Sequence, residues 1–390
     1  MAATASLLGG TMGGSPAATS PLPRVDQLVR SAVEHQQTAR ETGDTSYYRR
    51  SELVLQRALG ISPNDPDALA ALGSLQLARH RFREALSTGR RLQVLAPDDD
   101  AAHGIVGDAL LELGRYPEAF RAFDRMAALK PSVGSYSRIS YARELLGRPQ
   151  AALEAMELAV DATAGKGEPA AWTRVQLGKL HFSLGRLDAA ADEYRLALAL
   201  FPGYVHALDA LAQVEGARGR LARAIELERR ATERNPLPQF VGFLGDLYQA
   251  QGREQLAREQ YALVAAIERI LVANGVRTDL ETALFDVDHG LRLESALSRA
   301  RSAQRERPSV QADDVLSWAL ARTGHCGEAL RYSKRALRLG TRDAPTYFHR
   351  GMIERCLGHD AEARRWFRRA IATNPHFSLL WSPVARRLAA

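Results

Sequence analysis

The fragment from Asp286 to Gly290, Asp-Val-Asp-His-Gly, has the side chains best suited to chemistry in this 390-residue sequence. Two carboxylates and an imidazole within four residues are ligand types that zinc and related metals accept. Asp286 and Asp288 are two residues apart, however, and side chains at that spacing do not share a face of a helix. They converge only if the helix breaks, which Gly290 permits. The favoured interpretation is a helix end at which His289 bonds a backbone carbonyl; a metal-dependent accessory protein or enzyme using Asp286, Asp288 and His289 is the alternative.

Other reactive side chains are scattered along the chain. Cys326 and Cys356 are too few for a disulfide framework or a four-ligand zinc site, and they are predicted to be buried small apolar residues. A disulfide between them is left open. Phosphate-binding loops and nucleophile elbows are absent from the sequence. The sequence therefore predicts no catalytic residue and no cofactor. The remaining histidines that recur along the chain are predicted to lie in packing or surface positions, and they are His103, His181, His206 and His349.

The elements that carry these side chains recur at a fixed distance. Five glycines are each followed, twelve residues later, by an alanine, as Gly107 is by Ala119 and Gly178 by Ala190. A proline follows most of these alanines after twelve more residues, as at Pro131. A period near 34 residues indicates a repeat architecture. Aligned on these positions, the units begin near residues 32, 66, 100, 133, 171, 205, 238, 277, 310 and 344.

Each unit predicts a pair of helices. Apolar residues recur at helical spacing, as at Leu69, Leu72 and Leu75. A glycine then suits the left-handed position at the end of the first helix, and a proline marks the end of the second. Because one such hairpin cannot bury its apolar face alone, the units are expected to stack on one another. The predicted turn glycines are Gly114, Gly147, Gly185, Gly219, Gly252, Gly324 and Gly358.

These units resemble the tetratricopeptide repeat (TPR) over roughly residues 32–375. The resemblance implies an all-α, right-handed α-solenoid of about ten helix hairpins, with a concave groove lined by the first helices. It also implies a non-enzymatic scaffold or adaptor that binds proteins. The expected organisation is a disordered tail at 1–24, the solenoid at 25–375 and a C-terminal capping helix within 376–390. Two insertions, at 161–169 and 270–278, are predicted as loops, and a bend or a site at either is left open.

One stripe of each first helix is predicted to face the groove. Positions 2, 5, 9, 12 and 13 share this stripe, which in the nine units from residue 66 onward has a net charge of −6, whereas the chain has +7. Carboxylates attract Lys and Arg, and rings offer apolar or cation–π contact, so the predicted partner is a basic or amphipathic polypeptide segment. The alternative is a solvated face whose rings pack on adjacent helices. The predicted groove residues are Asp108, Tyr141, Trp172, Phe182, Asp209, Asp246, Phe285, Asp314, Trp318 and Phe348.

Composition limits the other classes of partner. Of the 52 basic residues 48 are arginine, a usage typical of a GC-rich bacterial genome, and they form no dense block, so nucleic-acid binding is not predicted. Peripheral contact of arginine-rich second helices with an anionic membrane is left open. No apolar run approaches the roughly 18–20 residues of a membrane span. The chain is predicted to be cytoplasmic; because Ser6–Thr11 resembles the end of a lipoprotein signal without its cysteine, a lipid-anchored, extracytoplasmic form is the alternative.

Overall fold

The computed structural model describes residues 24–165 and 167–390. Within these residues the chain forms 21 α-helices and no strand, as the all-α prediction requires. The ten first helices are α1 (Arg24–Thr42), α3 (Pro66–Ala78), α5 (Asp100–Glu112), α7 (Val133–Leu145), α9 (Gly167–Ser183), α11 (Val205–Ala217), α13 (Pro238–Ala250), α15 (Asp279–His289), α17 (Val310–Arg322) and α19 (Ala344–Cys356). The ten second helices are α2 (Ser46–Ile61), α4 (Phe82–Leu95), α6 (Tyr116–Leu129), α8 (Pro149–Asp161), α10 (Leu187–Leu200), α12 (Leu221–Arg234), α14 (Glu254–Ala273), α16 (Leu293–Glu306), α18 (Cys326–Ala336) and α20 (Asp360–Thr373), and α21 (Trp381–Ala389) follows them.

The predicted units coincide with helix hairpins, with one change of register. Seven first helices begin at the residue that the repeat alignment predicts, but α1 begins at Arg24 rather than near residue 32. Gly43 has φ 72° and ends α1 as Gly114, with φ 71°, ends α5. Since Gly114 is the fifteenth residue of its unit, the first unit begins at residue 29 and α1 extends beyond it. The expected tail falls on residues 1–23, which lie outside the described part of the chain.

Left-handed glycines separate the two helices of most hairpins. All seven predicted turn glycines have positive φ, between 67° and 83°, a region in which a Cβ is disfavoured. In the second repeat, which begins at residue 66, His80 takes this position with φ 55°. The predicted turns are therefore confirmed.

A glycine beneath an aromatic ring brings the two helices of four hairpins together. In each pair the ring belongs to the residue sixteen positions after the glycine and lies where the glycine Cβ would be. No larger residue fits at the glycine without displacing the ring. The pairs are Gly107 with Phe123, Gly178 with Tyr194, Gly245 with Tyr261, and Gly351 with Phe367.

The chain divides into two compact units, which we call unit 1 and unit 2. Unit 1 contains the residues up to Arg138 together with Ile270–Arg277, and unit 2 contains Ile139–Arg269 and Thr278–Ala390. Among the described residues, closely packed first helices include α1 with α3 and α3 with α5 in unit 1, and α9 with α11, α15 with α17 and α17 with α19 in unit 2. No pair of second helices packs as closely there. The first helices therefore form the inner side of the stack in each unit.

The insertion at 270–278 is more than a loop, because it prolongs α14 to Ala273 and then binds within unit 1. Arg79 donates through Nε to Gly275 O at 3.3 Å and through Nη2 to Asn274 O at 3.1 Å. Nδ1 of His80 lies 2.8 Å from Arg277 O. Three backbone oxygens of one short segment thus contact the end of α3 and the turn after it.

In unit 2 the ends of two first helices meet loops that lie far along the chain. Thr341 Oγ1 donates to Leu145 O at 2.6 Å, across 196 residues of sequence. Asn374 Nδ2 donates to Phe182 O at 2.9 Å, across 192 residues. We call these two contacts the seam of unit 2. They join repeats that are not neighbours in sequence.

The end of the chain covers the last hairpin of unit 2. Phe377, Trp381 and Leu388 pack against the apolar cluster that contains Phe348 and Phe367. The last repeat of a stack exposes an apolar face, and these side chains cover part of that face here.

The two cysteines form a disulfide in unit 2. Cys326 begins α18 and Cys356 ends α19, and their Cα atoms are 5.9 Å apart. That separation lies within the range that a disulfide spans. The alternative left open from the sequence is the one found, and the prediction of two free buried thiols is wrong.

Candidate functional site

In unit 1 the predicted groove residue Asp108 is neutralised by an arginine of the next repeat. Arg138 donates to both carboxylate oxygens, through Nε at 2.9 Å and through Nη2 at 2.6 Å. Asp108 is buried, and Arg138 bonds Gly134 O as well. A buried bidentate pair of this kind orients both side chains and leaves Asp108 little free charge for a partner.

In unit 2 Asp246 and Phe285 lie around His289. Nε2 of His289 is 2.7 Å from Asp246 Oδ1, and its Nδ1 is 2.7 Å from Phe285 O. Both ring nitrogens thus face pure acceptors, which only the doubly protonated imidazolium satisfies. Burial opposes that charge, but the hydrogen bond and the charge of Asp246 outweigh burial and raise the pKa of His289. Tyr261 also donates to Asp246 Oδ1, at 2.8 Å.

A second histidine–carboxylate pair lies further along the inner side of unit 2. Nδ1 of His349 is 2.9 Å from Asp314 Oδ2, whereas Asp314 Oδ1 is buried without a hydrogen-bond partner. The His349 ring stacks on Trp318 with centroids 4.8 Å apart. Burial disfavours the imidazolium, yet the charge and hydrogen bond of Asp314 outweigh this effect and raise the pKa of His349.

Two of the predicted aromatic contacts belong to the apolar core. Trp318 is 1% exposed and Phe348 is 0% exposed. Trp381 of the final helix packs edge-on against Trp318, with ring centroids 5.8 Å apart. These two rings stabilise the last repeats and present no surface to a partner.

Asp209 belongs to a buried ionisable group that spans two hairpins. It accepts a hydrogen bond from Gln213 at 3.0 Å. Burial raises its pKa, and the nearby charge of Lys179 opposes that effect. Glu228 of α12 lies deeper, at 0% exposure, and neither of its carboxylate oxygens has a hydrogen-bond partner. Burial, followed by the charge of Asp209, raises the pKa of Glu228 well above its usual value.

The remaining predicted rings are accessible. Trp172 and Phe182 are half-buried against the apolar cluster around Val175 and Leu208. Tyr141 is also half-buried, and its hydroxyl accepts a hydrogen bond from Gln311 at 3.0 Å. Phe285 is half-buried, and its ring centroid lies 4.2 Å from that of His289, which pairs with Asp246. Three rings with exposed surface, Trp172, Phe182 and Phe285, therefore lie on first helices of unit 2.

The three polar side chains of the Asp286–His289 fragment bind different partners. Asp286 is buried and forms an ion pair with Arg292. Asp288 accepts a hydrogen bond from Trp318 Nε1 at 2.9 Å, and His289 bonds Phe285 O as the helix-end interpretation expects. Across residues 24–165 and 167–390 no group of three His, Cys, Asp or Glu side chains is placed to hold a metal ion.

The cations that neutralise the stripe were missed by sequence reasoning. Arg138 and His349 occupy the sixth position of their repeats, outside the stripe. Each side chain binds a carboxylate of the preceding first helix. His289 lies on the stripe but was not counted as a base. A signal existed, because the sixth position of one first helix lies beside the fifth or ninth position of the helix before it.

Comparison with known proteins gives a consistent assignment. The family model described as "Tetratricopeptide repeat" matches residues 67–133 and 146–205. A "Cellulose synthase operon protein C" from Xanthomonas axonopodis pv. citri (strain 306) is 30% identical over 47% of this chain and 12% of its own length. A protein of the same name from Komagataeibacter xylinus is 24% identical over 88% of this chain, and the match spans 23% of its length. The chain thus spans less than a quarter of either relative.

A solved structure supports the fold. The human IFIT1 dimer with PPP-AAAA superposes with a TM-score of 0.50 at 14% identity, over 89% of this chain and 84% of that one. Helix hairpins with left-handed turn glycines, glycine–aromatic packing and closely stacked first helices agree with the family match. The chain therefore contains tetratricopeptide repeats, which the family model matches at residues 67–133 and 146–205.

Proposed function

We propose that this protein is a non-enzymatic scaffold that holds a basic or amphipathic polypeptide segment against the first helices of unit 2. The tetratricopeptide fold is a protein-interaction scaffold. The basic or amphipathic character of the bound segment is the part that we propose. The observation that carries the proposal is the half-exposed ring of Phe285 beside Asp246, whose side chain keeps 19% exposure although His289 pairs with it. A ring and a carboxylate side by side suit a segment with alternating apolar and basic residues.

Unpaired acids in unit 1 support the same chemistry. Burial raises the pKa of Asp67, and the charges of Asp65, Asp99 and Asp26 raise it further. Within the described residues none of these four carboxylates forms an ion pair. A negative potential at the start of the first helices of unit 1 therefore favours a cationic partner.

Replacing Asp246 with Asn together with Phe285 with Ala is expected to lower partner capture from extracts of the native host by about ten- to a hundredfold, the effect of losing a hot-spot ring and a charge. The matched control is Glu154→Gln with Leu158→Ala on the outer face of α8, which is expected to leave capture unchanged. Capture is measured by affinity purification at low salt followed by mass spectrometry. Equal capture by the two variants and the wild type would contradict the proposal.

Asp209 and Asp314 are unsuitable for this test because both are buried and partnered. A photo-crosslinking residue offers an independent readout, placed at Trp172 on the inner side or at Leu158, which is 47% exposed on α8. The proposal expects crosslinked polypeptide at position 172 and none at position 158. The reverse pattern would place the partner on the second helices.

We further propose that the protein works in an oxidising compartment, because the Cys326–Cys356 disulfide joins two adjacent repeats and such bonds persist outside reducing cytosol. None of the described helices is long and apolar enough to cross a bilayer. Protein from native cells lysed in a thiol-blocking reagent is expected to carry no blocked cysteine, as measured by intact mass. Two blocked thiols per chain would show that the cysteines are reduced and would favour the cytoplasmic location predicted from the sequence.

A further inference from the structure

The outer surface of the last hairpin of unit 2 carries an unusual charge. Residues 326–390 contain thirteen Arg or Lys and five Asp or Glu, a net charge of +8, whereas the whole chain has +7. The preceding 325 residues are therefore nearly neutral. The positive charge of the protein is concentrated in its last four helices, α18 to α21.

Helix α20 presents four of these thirteen basic residues on one face. Arg364, Arg365, Arg368 and Arg369 are all exposed, and residues at these spacings cover about 140° of a helix circumference. Arg365 forms an exposed ion pair with Glu362 at 3.1 Å, the sole carboxylate that reaches these four among the described residues. Surface pairs of that kind hold little energy. The face therefore keeps most of its charge.

Helix α21 continues the face. It packs against α20, and Arg368 Nε donates to Ala389 O at 3.0 Å. Arg386 and Arg387 are exposed on this helix, which contains no acidic residue. Arg386 bonds the backbone oxygen of Pro375, so its charge too is uncompensated. Six arginines thus lie on two helices that are held together.

We propose that the outer face of α20 and α21 binds the surface of an anionic phospholipid bilayer. Each arginine held near such a surface increases binding about fivefold, so several together suffice for reversible attachment. The disulfide between Cys326 and Cys356 ties the start of α18 to the end of α19, and bonds of this kind persist in oxidising compartments.

The rings near these arginines also favour lipid over single-stranded nucleic acid. The Arg369 guanidinium lies 4.3 Å from the Tyr347 ring centroid and 5.3 Å from that of Trp366. Tyr347 is buried and Trp366 is half-buried beneath this guanidinium. Proteins that bind single strands stack bases on exposed rings, which these two do not offer. Attachment through phosphate charge alone suits a lipid surface.

The test is co-sedimentation of the full chain with vesicles of phosphatidylcholine alone or with about one-third phosphatidylglycerol. The wild type is expected to co-sediment with the anionic vesicles at low salt and to dissociate from them at about 0.5 M salt. It is expected not to bind the neutral vesicles. Arg364→Gln, Arg365→Gln and Arg387→Gln together are expected to weaken binding about a hundredfold.

The matched control is Arg223→Gln, Arg229→Gln and Arg230→Gln on α12, which removes the same charge from exposed positions of another second helix of unit 2. It is expected to retain binding within about threefold. Thermal unfolding of both triple variants verifies that they are folded. Equal loss in the two variants, binding to neutral vesicles, or retention of duplex DNA without retention of vesicles would each overturn the proposal.

Discussion

Replacing Gly351 with alanine is expected to lower the melting temperature of the protein by several degrees. A Cβ at Gly351 would lie 2.5 Å from Cε1 of Phe367, whose side chain is 1% exposed and has no room to withdraw. Overpacking of this kind costs about 1–3 kcal/mol, more than the roughly 1 kcal/mol that alanine contributes over glycine inside a helix. A kilocalorie corresponds to about 2–4 °C in a unit of this size.

The chain contains a matched control for this substitution. Gly327 lies in α18 of the same unit, where a Cβ would meet no atom within 4 Å. Gly327→Ala is therefore expected to leave the melting temperature unchanged or slightly raised. Combining Gly351→Ala with Phe367→Leu should recover part of the loss, since the smaller side chain vacates the contested space. A Gly351→Ala protein that melts with the wild type would show that the hairpin relaxes at no cost.

Replacing Glu228 with glutamine is expected to make the protein more stable than the wild type, increasingly so as the pH rises. The Glu228 pKa is raised in the folded state by burial and then by Asp209, so the folded protein retains a proton that the unfolded chain releases. The wild type therefore loses stability as the pH rises above the ordinary glutamate value, by about 1.4 kcal/mol per unit until the folded pKa is reached. Glutamine has no proton to release and escapes this loss.

Urea unfolding at several values between about pH 5 and about pH 8 measures the effect directly. Glu226→Gln is the control, because Glu226 lies on the same helix with 56% of its side chain exposed and pairs with Arg223 in solvent. Its stability is expected to follow that of the wild type across the range. Parallel curves for Glu228→Gln and the wild type would mean that Glu228 is ionised or solvated in the folded protein.

The fold was predictable because each hairpin repeats the same local requirements. Most repeats place glycine in the left-handed turn and four of them place a glycine beneath a ring, so several weak signals reinforce one another. The start of the first repeat was misplaced because Gly43 is its one clear landmark and because α1 begins before the repeat does. The helical insertion at 270–278 was partly visible in its composition, but its binding to Arg79 and His80 depends on a remote contact.

The candidate site was only partly predictable, for a physical reason. Helical periodicity tells which side of its own helix a residue occupies, but not which charge the next helix places opposite it. Asp108 and Asp314 were therefore counted as available charge, although Arg138 and His349 neutralise them. In the same way Trp318 was expected at a surface that the final helix in fact covers.

The seam of unit 2 has a consequence for how this part of the molecule comes apart. In a linear stack each module touches only its two neighbours, so ends fray independently and stability is nearly additive along the array. Hydrogen bonds from Thr341 to Leu145 O and from Asn374 to Phe182 O close that array on itself. Early and late modules must then separate together, so unit 2 should resist stepwise peeling and open as a single cooperative body, at the cost of slow closure over almost two hundred residues.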